Sequence, residues 1–312
     1  MPTLPPIELT LTPAEAGERL DKVLSARADL GFSRATLQRW MDEGRVSIAG
    51  TPVQAKDKAR AGLTVRIEPA PPPASDALPE DIPLEVLFED EHLIVLHKPA
   101  GLVVHPAAGH ASGTLVNALL HHTEVEAGED PRRPGVVHRL DKDTSGVMVV
   151  TRTEVAREAM SRLFSEHRIE RVYEAICQGT PPTQVTYHTL IGRHPSERKR
   201  FSSRVRTGKH AITHVNKVRD LHGAALIRCQ LETGRTHQIR VHLADHGFPL
   251  LGDPVYGKRS RDPRVQHASE ELARQALHAR VLGFEHPITG AAMRFEVEPP
   301  ADFQRALTAL SD

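Results

Sequence analysis

The stretch GVVHRLDKDTSG, residues 135–146, sets His138, Arg139, Asp141, Lys142 and Asp143 between Val136-Val137 and the apolar run at 147–150. Charge concentrated where two apolar runs meet lies at the rim of a core. A cation site there would draw on His138, Asp141 and Asp143, or on His237 and His242 of THQIRVH. Arg139, Lys142, Arg235 and Arg240 crowd both stretches with positive charge that opposes a cation. His237 and His242 are five apart, a poor spacing for one helix face, and HExxH and cysteine clusters are absent, so no metal is expected. Nucleotide-driven chemistry lacks its glycine loops, and a serine hydrolase lacks GxSxG, which Ser145 in DTSG does not supply. What remains is a carboxylate among cations. Positive neighbours favour the ionised form that a nucleophilic Asp141 requires. Asp143, Thr144 and Ser145 suit capping of the turn's own backbone amides. On spacing alone, turn chemistry accounts for both carboxylates as well.

The elements that must hold these residues divide unevenly. A length of 312 residues suits two domains and a substantial core. Two cysteines, Cys177 and Cys229, give no disulfide framework and fit a reducing compartment. MPTLPPIELT lacks the basic start and apolar run of a signal peptide, and no apolar segment reaches membrane-spanning length, so a cytoplasmic protein with no membrane partner is expected. The net charge of zero hides an asymmetry: residues 131–240 carry 21 Lys or Arg against 10 Asp or Glu, a local net of +11. Residues 76–91 are acidic instead. A basic face of this kind suits a polyanion.

Residues 1–68 read as a small separate module. Leu20, Val23, Leu24 and Ala28 have helical spacing, Gly31 ends that unit, and Ser33 is placed to cap a second helix bearing Leu37, Trp40 and Met41 on one face. RVSIAGTPV breaks at Ala49-Gly50 as a tight strand pair, and LTVRIE adds a strand. With Arg34, Arg39 and Arg45 nearby, the module resembles the alpha-L RNA-binding domain found in a small-subunit ribosomal protein. Residues 69–83 hold six prolines and read as a stiff linker. Residues 84–312 alternate strands and helices without βαβ regularity, which predicts an α+β domain with a mixed or antiparallel sheet.

GVVHRLDKDTSG resembles the signature of the RNA pseudouridine synthases. LHKPAGLVVHPAAG at 96–109 resembles a second motif of that family, with His97 where Asn is common. RVYEAICQG, LETGRTHQIRVHLA, PLLGDPVYG and QALHARVLGFEHPITG follow in the family order, so the resemblance covers nearly the whole chain. It implies a pseudouridine synthase domain with a mixed, mainly antiparallel sheet flanked by helices and loops, isomerising uridine without a cofactor. By resemblance, Asp141 is the catalytic aspartate, Tyr173 packs on the target base and serves as a late base, and Arg235 pairs with the aspartate. Arg139 holds the RNA strand open, His237, Gln238 and Arg240 contact backbone or base, and Leu277 lines the pocket. Whether Asp141 attacks the sugar, adds to the uracil ring or assists elimination stays open. The motif combination is most similar to members acting on 23S ribosomal RNA, which implies a monomer working on that RNA or the assembling large subunit, at uridines in the helix 69 loop. A second subgroup, acting on other 23S uridines, shares the domain order and most motifs. The rival outside catalysis is an RNA-binding ribosome-assembly protein, which keeps the basic face without needing Asp141, Tyr173 and Arg235 together.

Overall fold

The computed structural model describes residues 5–27, 30, 32, 34–70, 77–106, 112–126, 133–197 and 200–311. Gly31 and Ser33, expected to end one helix and cap the next, lie outside them, as do residues 71–76 of the proline-rich stretch. No helix among the described residues is long and apolar enough to cross a membrane.

The first module comprises β1 (Ile7–Thr10), α1 (Leu20–Ser25), α2 (Arg34–Asp42), β2 (Val46–Ile48), β3 (Thr51–Pro52) and β4 (Thr64–Ile67). Its sheet runs β1-β4-β2-β3 with every pair antiparallel. Ala49 and Gly50 have φ of 50° and 77°, the doubly positive turn that matches strand twist in a two-residue hairpin. Leu20, Leu24, Leu37, Trp40 and Met41 close over Val46, Val65 and Ile67, so the helical spacing in the sequence marks the buried face. Inside lies Asp21, fully buried, bonded by Arg19, Arg34, Gln38 and the Lys22 amide. Arg34 therefore braces this core carboxylate with its inner edge, while Arg39 and Arg45 sit 3.8 and 2.9 Å from Glu43.

The larger domain comprises β5 (Glu85–Glu89), β6 (Leu93–Lys98), α3 (Leu115–His122), β7 (Ser145–Thr151), α4 (Glu154–Ser165), β8 (Glu170–Gln178), β9 (Gln184–Arg193), β10 (Phe201–Ser202) and β11 (Lys209–Leu221). It continues with β12 (Ala224–Leu231), α5 (Gln238–Asp245), α6 (Pro263–Leu272), β13 (Leu277–Glu285), β14 (Ala292–Glu296) and α7 (Ala301–Leu310). One ten-stranded sheet runs β10-β9-β11-β12-β8-β13-β7-β6-β5, with β14 also paired to β13. Among the described strand pairs, β13 with β7 is the parallel one. The α+β class with a mixed, mainly antiparallel sheet is as the sequence predicts. Helix α6 is an addition, although Asp262 accepting from the Arg264 and Val265 amides ahead of Pro263 is a start signal present in the sequence.

Strand pleat sorts the core by parity. Ile94, Leu96, Met148, Val150, Ala175 and Cys177 pack with α3 and α5, while Leu93, Val95, Val147, Val149 and Ile176 face the side holding α4, α6 and α7. The parallel pair places the starts of β7 and β13 side by side, with Ser145 opposite His278 and Gly146 opposite Ala279. Tyr173, on antiparallel β8, is opposite Ala279 from the other side. Gly146, at φ 128°, is where β7 and β13 touch: an added Cβ would lie 2.2 Å from the Ala279 carbonyl oxygen. The glycine of DTSG is therefore what lets the charged loop enter the sheet.

Three histidines are held neutral inside this domain. Burial pushes His242 and His278 down to about 4 and His138 down to about 3. In the unfolded chain each takes up a proton as pH falls through about 6.5, whereas the folded chain waits until about 4 or lower. The unfolded state thus binds more protons in that window. The stabilisation is complete above about 6.5 and is lost as pH falls toward 4. Urea midpoints measured from pH 7.5 to 4.5 are expected to decline steadily below 6.5, and His242→Gln is expected to flatten the decline. An unchanged slope in that variant would count against the assignment.

Candidate active site

The loop ahead of β7, the start of β13, the middle of β8 and the loop joining β12 to α5 open on one cavity of about 610 Å³. Arg139, Asp141, Tyr173, Arg235, His237, Gln238, Arg240 and Leu277 all line it, so the fold brings every catalytic-domain candidate to one place. They do not all point at its contents.

Asp141 is held by Arg240. Arg240 NH1 donates to Asp141 Oδ2 at 2.8 Å, while its Nε and NH2 donate to the two oxygens of Asp253 at 2.7 and 2.9 Å. The partnership expected of Arg235 therefore belongs to Arg240. Arg235 lies in the loop before α5, where its Nε donates to the His210 carbonyl at 2.8 Å. Arg240 lies one turn into α5 and faces inward, nearly fully buried. Three of its N–H donors go to the two carboxylates. Asp253 also accepts from the Val255 and Tyr256 amides. Burial opposes its charge, and Arg240 with those amides more than reverses the effect, holding its carboxyl below the ordinary value.

Gln238 is likewise internal. Its amide oxygen accepts from Thr233 Oγ1 and the Arg235 N–H, and its amide nitrogen donates to the Ile212 carbonyl and Thr213 Oγ1. All four hydrogen-bonding positions are spent on the loop it anchors, so the expected contact with substrate is corrected. His237 begins α5 in the left-handed region at φ 58°. Its Nδ1 is 2.9 Å from Tyr256 Oη and its Nε2 is 3.9 Å from Asp141 Oδ1. Burial keeps its pKa low against the pull of Asp141.

The turn after Asp141 is built differently from the expectation of self-capping. The Thr144 amide donates to the Asp141 carbonyl, but Thr144 Oγ1 accepts from Gln275 and Ser145 Oγ lies 2.9 Å from His278 Nδ1. Both hydroxyls are buried at the start of a central strand, and their partners come from the first residues of β13 and the segment just before it. Lys98, completely buried, donates to the carbonyls of Pro99, Leu102 and Lys142 at 2.8–2.9 Å. It stitches the HKPAGL segment to the HRLDK loop, although burial pushes its ammonium down to about 7. Arg274 completes the brace, reaching the Asp143 carbonyl at 3.1 Å and both oxygens of Asp302.

The rest is wall. Burial raises the Tyr173 phenol above its ordinary pKa, Arg171 opposes and Asp141 adds to the rise. The ring thus stands at neutral pH as an uncharged phenol beside Leu277 and Leu231. Arg171 also lines the cavity, donating to the Glu232 carbonyl at 2.6 Å. It was not singled out, though it stands two residues before Tyr173 and strand alternation puts it on the same face. Arg139 is exposed at the mouth. Asp253 and Tyr256 enter the site from GDPVYG, a motif whose residue types alone do not show their contacts with Arg240 and His237.

Comparisons with known proteins place the chain in a family. A family model described as "RNA pseudouridylate synthase" matches residues 92–245, and the S4 domain model matches residues 18–65. Ribosomal large subunit pseudouridine synthase D of Pseudomonas aeruginosa is 42% identical, over 94% of this chain and 92% of that one. The protein of that name from Zymomonas mobilis is 44% identical over 96% of both. Human RNA pseudouridylate synthase domain containing 1 shares the fold, with a TM-score of 0.55 at 22% identity over 71% of this chain and 85% of that one. Such identity across almost the full length takes in the Asp141 loop, the strand of Tyr173 and helix α5 together, and so the chain belongs to the RNA pseudouridine synthase family, an enzyme with an S4 domain at its N-terminal side.

Proposed function

We propose that this enzyme converts uridines of 23S ribosomal RNA to pseudouridine, at the loop of helix 69, with Asp141 at the reacting centre. The observation that carries the chemistry is Asp141 at the edge of the cavity, fixed by a buried arginine that is itself fixed by Asp253. The names of the relatives from Pseudomonas and Zymomonas support a large-subunit RNA substrate. We place the work in the cytoplasm on the assembling subunit, with the chain acting as a monomer.

The reaction rearranges atoms without net gain or loss. The bond from the sugar C1′ to uracil N1 breaks, the base turns, and C1′ bonds to C5. C5 gives up its proton and N1 ends protonated. The chain must therefore supply a placed carboxylate and an enclosure that retains the free base. Asp141 supplies the first, and Tyr173, Leu277 and Leu231 supply apolar walls for the second. A uridine in folded RNA must swing out to enter, at a cost of a few kcal/mol. Arg139 at the mouth and the basic segment 193–209 offset that cost through phosphate contacts, although Arg198 and Lys199 of that segment lie outside the described residues.

Mapping pseudouridines across the ribosomal RNA of a strain lacking the protein tests the substrate. Sites are expected to vanish from the helix 69 loop and return on complementation. Sites lost only elsewhere in 23S RNA would replace the target assignment with that of the related subgroup.

A further inference from the structure

A second cavity, of about 910 Å³, lies beside the first and shares Gly234, Arg235 and Thr236 with it. Arg193, Arg204, Arg206, Lys209 and Arg235 line it, with no Asp or Glu among the described lining residues. Phe201 stands in its wall with the Arg193 guanidinium 4.8 Å from the ring centre. Backbone makes up much of the rest. An added Cβ on Gly192 would lie 2.5 Å from the Thr207 carbonyl oxygen, and one on Gly208 would lie 2.5 Å from that of Ile191. Two glycines thus let the strand edges close up behind the opening.

Side-chain contacts link the walls of the two cavities. The Phe201 ring meets His237 edge-on at 5.9 Å, and His237 reaches Asp141 at 3.9 Å. Arg235 lines both cavities, anchored by its Nε to the His210 carbonyl. The second cavity is thus a cationic hollow with an aromatic wall that adjoins the first at Arg235. Such a hollow has the two elements that hold a nucleotide without reading its sequence: cations for phosphate and a flat ring for the base.

We propose that this second cavity is a nucleotide subsite that takes a residue neighbouring the target uridine, its phosphate held by Arg206, Lys209 and Arg235 and its base stacked at Phe201. The proposal rests on the RNA-modifying function above and adds a second point of grip. Holding a neighbouring nucleotide apart from the target keeps the target from restacking, which converts binding energy into base extrusion.

The test uses full-length protein. With a helix 69 stem-loop transcript, Phe201→Leu, which keeps an apolar side chain but loses the ring, is expected to raise KM roughly 10-fold and change kcat by less than about twofold. Replacing one neighbouring nucleotide by an abasic residue is expected to raise KM similarly in the unmodified enzyme and to add nothing in Phe201→Leu. An unchanged KM, or additive losses at every abasic position, overturns the proposal. Salt-dependent binding to a single-stranded oligouridine separates this outcome from failure of the parent function. The double variant R206A/K209A is expected to lower the slope of log affinity against log salt by about 0.7, the one single-strand phosphate contact. An unchanged slope overturns the subsite even where the stem-loop is modified. A lowered slope with no modification of the stem-loop or of 23S RNA overturns the substrate assignment and leaves the subsite standing.

Discussion

Asp141→Asn is expected to abolish pseudouridine formation, with a loss on the order of 10³-fold or more, about 4 kcal/mol of transition-state stabilisation. The substitution keeps the size of the side chain, and its amide oxygen can still accept from Arg240, so the loop has no steric reason to move. Neither its nucleophilicity nor its charge survives. RNA affinity is expected to remain within about twofold, because the phosphate-binding cations are untouched. Tritium release from 5-tritiated uridine in the RNA measures the first quantity, and filter binding measures the second. Modification surviving at near-normal rate would remove Asp141 from the reacting centre. Loss of binding along with activity would instead favour a mainly RNA-holding role for the loop.

Arg240→Ala is expected to be the most damaging single change to the fold. It leaves Asp253, whose side chain is fully buried, and Asp141 without their shared cation. Breaking a buried pair from one side costs about 3–5 kcal/mol, a large part of a domain's net stability. Arg240→Lys is not a rescue, because one ammonium cannot span the two-point contact with Asp253 and also reach Asp141. The informative partner is the double variant R240M/D253N, which removes the buried charge together with its cation. It is expected to recover much of the urea midpoint while activity stays low, since Asp141 has lost its anchor. A single Arg240→Ala within about 1 kcal/mol of the unmodified protein would show the pair to be dispensable for stability.

These two residues also mark how far the sequence could be read. Asp141 stood out because its neighbours are charged and its flanks apolar, and the family motif gave it a role. Strand and helix positions followed from apolar runs and helical spacing: Leu93–Lys98 and Ser145–Thr151 are buried almost throughout, on both faces of the sheet, and so stand out as continuous apolar stretches. The partner of Asp141 did not follow. Arg235 and Arg240 sit in one motif five residues apart, and only the start of α5 at Gln238 decides which of them turns inward. The same limit applied to Gln238, whose amide is consumed by Thr213, Ile212, Thr233 and Arg235, and to Thr144 and Ser145, whose partners are about 130 residues further along the chain. Long-range polar pairing leaves no local spacing behind. Helix α6 carries a local signal, since Asp262-Pro263 is an ordinary helix start.

The parallel seam between β7 and β13 has a consequence for synthesis. Strand β13 inserts between β8 and β7, so the central sheet has a gap until residues near 280 have been made. The first module has a hydrophobic core of its own, drawn from residues 7–70. Contacts of low sequence separation form early and those of high separation late, and domains tend to fold in order as they emerge. The growing chain therefore owns a folded S4 module well before it owns a floor for Asp141. Catalytic competence arrives in one late step, when a single strand closes the sheet.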